Sequence, residues 1–589
     1  MIRSEDIDIR DGKYGTWTKS EDDPKFSPIG REFYIDLIER NFEDDSLYLT
    51  FKSYYYGMEI RHSIPRCKIN NDGLNELLTD GFDVKNLDVF QALVPYLEDL
   101  YFAKKQEHSF HQGVGWNKLE TLHQKESFPN KEYVYKSYNH IDDVQSRYDG
   151  LFDIEPRGTY EGQLKFIQKE VQGNTACELA LALGLSAVVN GRIRDIAHTP
   201  NLIVHLYGDS SRGKTTAAQL AISVAGVPDL QKTSLMMSWN STYAAMITRL
   251  MMNRGMPVAM DEVSKYLGND LTTLIYSLSD GRDKDRLNKN ATLKSTNKKD
   301  SFATTIISTG EATITGKCKR NTGIKARVIE IDTQFTNSAE HADRIKKGCF
   351  ENCGYLAPKL AEYMQTVGIE FIIEEFEHCK KLYFEKTTVE TLKERVGANY
   401  AIILLSAELA NLAFGFTFDV DKILDLLVDN EKENSAERDI ALEAHEKLIE
   451  YARSNRGHFL RYSRSKGSIT YMEGGVSDNM EIYGRINECI NKEYDDTKTI
   501  LNEYCFTCEA FKKIVAKLGY EDVAVLLKKL KQAELLNHES GKLYRKRKLF
   551  ENDNTTTKMY VLYEFEYNST ELKETDDIKT PYEKQGISL

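Results

Sequence analysis

LYGDSSRGKTT, residues 206–216, sets the reading of the whole chain. Gly208, Asp209, Ser210, Ser211, Arg212, Gly213, Lys214 and Thr215 fit the pattern G-x-x-x-x-G-K-[ST] in full. The apolar run NLIVHLYG (201–208) stands before it, as expected of a strand at the centre of a parallel sheet. TTAAQLAISVAG (215–226) continues as a helix, with Thr216 in its first turn. In that order, the N–H groups of the loop and of the helix N-terminus cradle phosphates. Lys214 is then the side chain for the β/γ-phosphates, and the Thr215 hydroxyl is a ligand for Mg²⁺. ATP and Mg²⁺ are the expected cofactors.

Three more apolar runs read as strands of the same sheet: GMPVAMDE (255–262), FATTIISTGE (302–311) and KARVIEID (325–332). Helical patterns separate the first two strands, which makes this an α/β core. Asp261 ends its strand, where a carboxylate can hold the hydrated Mg²⁺, and Glu262 is placed to orient an attacking water. The third strand ends in Ser308 and Thr309, polar side chains that would touch the γ-phosphate or the water; the plain alternative is a Thr capping the next turn. Arg327, just before the fourth strand, is either an arginine finger for a neighbouring subunit's ATP or a structural ion pair. Arg320 competes for the finger role. Arg395 opens the apolar helix of LKERVGANYAIILLSAELAN and is a candidate sensor 2 arginine, or a surface residue of a first turn.

Composition bounds what surrounds this core. The chain has 589 residues, 41% hydrophobic and 29% charged, with a net charge of −13. That fits a globular protein of about three or four domains. It excludes a protein coated in nucleic acid over its whole surface, though not a local basic channel. The acidic N-terminus lacks the apolar segment of a signal peptide, and YAIILLSAELANLAFGF (400–416) carries Glu408 and reads as a buried helix, not a span. A cytoplasmic location without membrane contact is expected. Nine cysteines include two close pairs, Cys349/Cys353 and Cys505/Cys508; neither has an evident second pair to complete a zinc site, and reduced thiols are the simpler reading.

The expected divisions are 1–155, 156–465 and 466–589. The first is an α+β domain, with SLYLTFKSYYYGMEIRHSI (46–64) as paired strands turning near Gly57 and KNLDVFQALVPYLEDLYFAKK (85–105) as a helix. Its role reads as DNA binding or a collar, and it shows no carboxylate set of the kind a primase would need. Residues 339 to about 460 are helical in pattern, KENSAERDIALEAHEKLIEYARSN (432–455) being one charged amphipathic helix, and 464–478 has the Gly and Ser content of a connector. Beyond it, 508–519 and 520–537 read as two helices around Gly519, and 541–567 as two strands, the winged-helix arrangement. Lys528 and Lys529, with Lys531, lie on the second helix. Arg545, Lys546 and Arg547, with Lys548, open the wing. Such a cluster favours phosphate contact, and protein docking is the alternative. Between the second and third core strands, residues 282–299 hold seven Lys/Arg against two Asp. There Lys289, Lys294 and Lys298 are candidates for gripping DNA, against a solvated charge run.

The order GDSSRGKT, SWNST, VAMDE, LSDGRDKDR, ISTGE and ARVIEID resembles the domain-of-unknown-function 927 family, among AAA+ ATPases similar to minichromosome-maintenance (MCM) helicases. Within that group the likeness is to the self-loading helicases of staphylococcal cassette chromosomes. It covers residues 160 to 460 most strongly. It implies an AAA+ core with a helical lid, a ring, most simply a hexamer, ATP hydrolysis between subunits, and movement along DNA. An initiator or switch without processive unwinding, and a remodeller that does not act on DNA, are the alternatives. One departure matters: the stretch between the loop's helix and VAMDE leaves little room for the helix-2 insert of MCM proteins.

Overall fold

The computed structural model describes residues 3–567 except 19–23, 231–232, 269, 284–300, 319–321, 390–391, 439, 466–467, 472–479, 495–497, 521 and 553. Its centre is a five-stranded sheet of β1 (Leu202–Tyr207), β2 (Met236–Ser238), β3 (Val258–Asp261), β4 (Thr305–Thr309) and β5 (Val328–Asp332). The strands lie in the order β2-β3-β4-β1-β5, every neighbouring pair parallel. The four runs read from the sequence are β1, β3, β4 and β5. The edge strand β2 was missed, because three residues are too short to show a period.

Every residue of β3 and β4 is buried, so helices must cover both faces. Helix α1 (Thr175–Ala197) packs on β4, on α2 (Lys214–Ile222) and on α3 (Lys393–Phe414). Gly184 permits the approach of α1 to α2: a Cβ there would lie 2.2 Å from the Ala221 carbonyl oxygen. Helices α1 and α3 are long and apolar enough to cross a membrane, but 94% and 72% of those apolar stretches are buried inside the protein.

Apolar cores divide the chain differently from the expected boundaries. Residues up to Tyr101 have their own core, where the hairpin Leu47–Tyr55/Met58–Pro65 packs with the helix Leu87–Phe102. The turn at Tyr56 and Gly57 has φ of 48° and 82°, the positive values a tight hairpin needs. Val114, Trp116, Tyr135, Phe152 and Ile154 instead belong to the core of the central sheet, across the boundary expected at 155. The Trp116 indole donates to the Val188 carbonyl at 2.8 Å, and Asn253–Arg254 adds a parallel strand to Val114–Lys118.

The charged stretch 432–455 is two helices, α4 (Val420–Arg438) and α5 (Ile440–Ser454). Leu424, Leu427 and Val428 of α4 lie in the central core, while Ala441, Ala444 and Leu448 of α5 lie in the C-terminal one. The periodicity of one helix thus runs into that of the next, and packing onto two cores separates them. Part of the expected connector 464–478 is strand: β6 (Phe459–Ser465), whose last two residues fall in it, pairs antiparallel with β7 (Ser468–Tyr471). They join β8 (Gly484–Glu493), β9 (Lys498–Thr507), β10 (Leu536–Asn537), β11 (Arg545–Arg547) and β12 (Thr557–Tyr567). The sheet runs β7-β6-β8-β9-β12-β10, with β11 also on β12. Helices α6 (Cys508–Lys517) and α7 (Val523–Gln532) precede the β11–β12 hairpin, as the sequence led one to expect.

Candidate nucleotide and DNA sites

At the carboxyl end of β1 the chain turns through three positive φ angles: Gly208 at 114°, Ser211 at 69° and Gly213 at 83°. Two of these need glycine for space as well. A Cβ on Gly208 would lie 2.5 Å from Asp332 Oδ1, and one on Gly213 would lie 2.8 Å from Thr336 Oγ1. Gly213 caps α2 without a side chain, which leaves the first N–H groups of the helix facing the loop. Lys214 Nζ donates to the Gly208 and Asp209 carbonyls at 2.8 and 2.7 Å, folded across the hollow of the loop. Arg212 pairs with Asp332 at the end of β5, Ser210 Oγ donates to Glu311 Oε1 at 2.6 Å, and Thr216 is buried in α2.

Asp261 collects the side chains beside this loop. Its Oδ1 accepts from Thr215 Oγ1 at 3.4 Å and from Thr309 Oγ1 at 3.0 Å, and its Oδ2 lies 3.4 Å from Lys265 Nζ. Thr309 Oγ1 in turn accepts the Glu262 backbone N–H at 2.9 Å. Glu262 has φ of 61°, rare for a residue with a side chain, and its carboxylate accepts from the Ser264 N–H at 3.2 Å. A hydroxyl and a carboxylate within hydrogen-bond reach are hard oxygen donors, which fit Mg²⁺ in chemistry and place.

Ser308, expected beside Thr309, faces the other way. Neighbouring side chains of a strand point to opposite faces. The Ser308 hydroxyl is buried between His205 Nδ1 at 2.8 Å and Trp239 Nε1 at 3.0 Å, away from the phosphate loop. It touches none of Thr215, Asp261 and Glu262 directly, and is joined to them through the backbone it shares with Thr309 and through the side chains of Trp239 and His205. His205 escaped the sequence reading, although a titratable residue inside NLIVHLYG was a visible signal.

Arg327 and Arg395 sit at the opposite end of the sheet. Arg327 directly precedes β5, whose last residue, Asp332, stands beside the phosphate loop; five strand residues span about 16 Å. Its guanidinium donates to the Gly323 carbonyl at 2.9 Å and lies 4.5 Å from the centre of the Tyr276 ring. Arg327, Arg395, Arg194 and Arg282 line one cavity of about 530 Å³, together with Asp280 and Ser279. The Ser279 hydroxyl is buried there without a hydrogen-bond partner among the described residues. Arg320 lies outside the described residues, as do Lys289, Lys294 and Lys298.

On α7, Lys528 is exposed and Lys529 half-buried. The wing differs from the expected row of phosphate contacts. Arg545 and Arg547 share one face of β11 and turn inward, Arg545 to Asn537 Oδ1 and Arg547 to Glu503 Oε1 at 3.7 Å. Glu503 is fully buried. Lys548 Nζ donates to the Glu551 carbonyl at 3.1 Å, and Lys546, on the other face, is exposed. Behind the wing, buried Arg485 donates to Asn487 Oδ1 at 2.8 Å, the Lys548 carbonyl at 2.9 Å and Glu551 Oε1 at 2.7 Å. The two expected cysteine pairs are free thiols: Cys349 and Cys353 are both buried, whereas Cys505 is buried and Cys508 half-exposed.

Residues 46–298 match the model of the domain of unknown function DUF927, and residues 439–564 match the Cch helix turn helix domain. No curated protein matches the chain. Among solved structures, "SCCmec type IV Cch - active helicase" is similar with a TM-score of 0.70 and 23% sequence identity, over 95% of this chain and 97% of that one. The chain is thus similar to the DUF927 domain over residues 46–298 and to the Cch helix turn helix domain over residues 439–564, and it shares the fold of the solved Cch structure.

Proposed function

We propose that this protein is an ATP-driven DNA helicase, MCM-like and assembled as a ring, most simply a hexamer, that serves replication of a mobile genetic element. In this reading residues 201–332 form an AAA+ P-loop core, the helices from Ala339 onward its lid, and the helix-turn-helix domain a DNA contact. The observation that carries it is the split of polar groups between the two ends of one sheet. The carboxyl end gathers Lys214, Thr215, Asp261, Glu262 and Thr309 around the phosphate loop. The amino end gathers arginines around an open cavity. About 16 Å of strand keeps Arg327 from its own phosphate loop, so a second subunit must supply it.

The roles follow from the geometry. Thr215 and Asp261 would hold Mg²⁺, which neutralises charge on the phosphates when bound. Lys214 exchanges its two carbonyl partners for phosphate oxygens. Thr309 ties the Glu262 backbone to Asp261 and so sets the starting position of the Glu262 carboxylate, which orients water. Arg327 and Arg395 reach the neighbour's phosphates. The helix-turn-helix domain favours DNA as the partner over a remodeller that does not act on DNA. Unwinding of a forked duplex is the test: strand separation that needs ATP and fails with a non-hydrolysable analogue supports the helicase. ATP-dependent binding without separation supports an initiator or switch instead.

A further inference from the structure

We infer that His205 is a positioning residue of the hydrolytic site, acting through a hydrogen-bond chain that runs Trp239–Ser308–His205–Ala312. The inference rests on the proposed ATP hydrolysis and adds a residue that touches neither nucleotide nor metal.

Donor chemistry fixes the direction of the chain. The Trp239 indole N–H can only donate, so Ser308 Oγ accepts it at 3.0 Å. At the other end the Ala312 carbonyl can only accept, so His205 Nε2, 2.9 Å away, carries the proton. A neutral ring then offers Nδ1 as an acceptor, and the Ser308 hydroxyl donates to it at 2.8 Å. Every group in the chain has one consistent role. Burial keeps the ring neutral, drawing its pKa down to about 4.

The chain joins four elements that carry the site. Trp239 follows β2, and its backbone N–H donates to the Asp261 carbonyl at 3.1 Å. Ser308 lies next to Thr309, which holds Asp261 and Glu262. His205 stands on β1, three residues before the phosphate loop and in register with Ser308. Ala312 ends the short loop that bears Glu311, the partner of Ser210. Gly310 of that loop is wedged: a Cβ there would lie 2.6 Å from Val263 Cγ1 and 3.0 Å from the His205 ring. His205 therefore fixes how far the Thr309–Ala312 segment stands from Glu262 and from the phosphate loop.

Three variants test this. His205→Phe keeps a ring and removes both bonds. His205→Gln restores a donor and an acceptor. Ser308→Ala cuts the chain with little change in volume. Nucleotide affinity, kcat and melting temperature are measured for each. His205→Phe is expected to lower kcat by about tenfold or more with affinity held within about threefold, and Gln to recover part of the loss. Ser308→Ala should lower kcat in the same direction with its melting temperature held. A kcat within about twofold of the wild type in both His205→Phe and Ser308→Ala overturns the inference. So does a parallel loss of affinity and kcat that Gln leaves unrepaired, because that marks general packing. The wild type separates the two failures: no ATP hydrolysis removes the proposed function and this role with it, whereas wild-type turnover unaltered by the variants removes this role alone.

Discussion

The central sheet and the C-terminal sheet handle charge in opposite ways. In the central sheet, the strand interiors are mostly buried, with His205 held neutral among them, and the charged side chains of the candidate site stand at the ends, Lys214 and Asp261 at one and Arg327 at the other. In the C-terminal sheet, charge sits mid-strand under cover, with Arg485 2% and Glu503 0% exposed. A parallel sheet covered by helices leaves only its ends for chemistry. The C-terminal sheet is mixed, with β6 and β8 parallel and its other pairs antiparallel, and it encloses a polar network, which holds only where its members are satisfied. Charges of the first kind should then govern turnover, and those of the second kind stability.

The largest effect should come from the phosphate loop. Lys214→Ala and Glu262→Gln are both expected to reduce ATP hydrolysis to background without lowering the melting temperature. They should differ in binding: Lys214→Ala weakens nucleotide affinity, and Glu262→Gln keeps ATP bound. Calorimetric titration in the reverse order would exchange the two roles.

Arg327→Ala should lower turnover by about 10³-fold and leave nucleotide binding nearly intact. Mixing it with Lys214→Ala subunits should restore some ATPase, since mixed interfaces pair an intact Lys214 with an intact Arg327. Mixed assemblies with no recovery would break the two-ended picture, and Arg395 would be tested next.

Glu503→Ala should do the converse. It removes the carboxylate that Asn487 and Arg547 share, at a cost of about 3–5 kcal/mol in stability by denaturant unfolding. A silent variant would mean that the buried network contributes little. Acid should act on two buried histidines, one inside the central sheet and one on the strand His108–His111 of the N-terminal part. His205 and His111 are held to about 4 by burial, below the ordinary value of 6.5. The unfolded chain takes up their protons first, so stability falls as pH drops from 6.5 toward 4, by at most about 3 kcal/mol from each. His205→Gln should flatten that slope at unchanged DNA affinity.

The smallest effect belongs to the wing. Lys546→Ala should reduce the salt dependence of DNA binding by about 0.9 in log–log slope, as should Lys528→Ala. Arg547→Ala should change stability more than that slope, because its guanidinium faces Glu503. If Arg547→Ala changes the slope like Lys546→Ala, the inward reading of the wing fails.

The loop 208–215 was legible as a candidate phosphate site because its pattern is local: glycines, lysine and threonine at fixed spacing between a strand and a helix need no distant partner to be recognised. Asp261 and Glu262 were legible for the same reason, standing at the end of a short apolar run. The sequence alone determined the α/β core, the helix-turn-helix pair and the oxygen donors suited to Mg²⁺. Only tertiary structure decided which way Ser308 and Thr309 face, because a strand's alternation is known but its register is not. Only tertiary structure turned Arg547 inward, since the buried Glu503 it faces lies over 40 residues away in the chain, and only it set Arg545 against Asn537 on the neighbouring part of the sheet. It also divided one charged periodicity into α4 and α5 and extended the central core back to Val114. These outcomes depend on which surfaces meet in space, and hydrophobic pattern along the chain records only that a surface is buried, not against what.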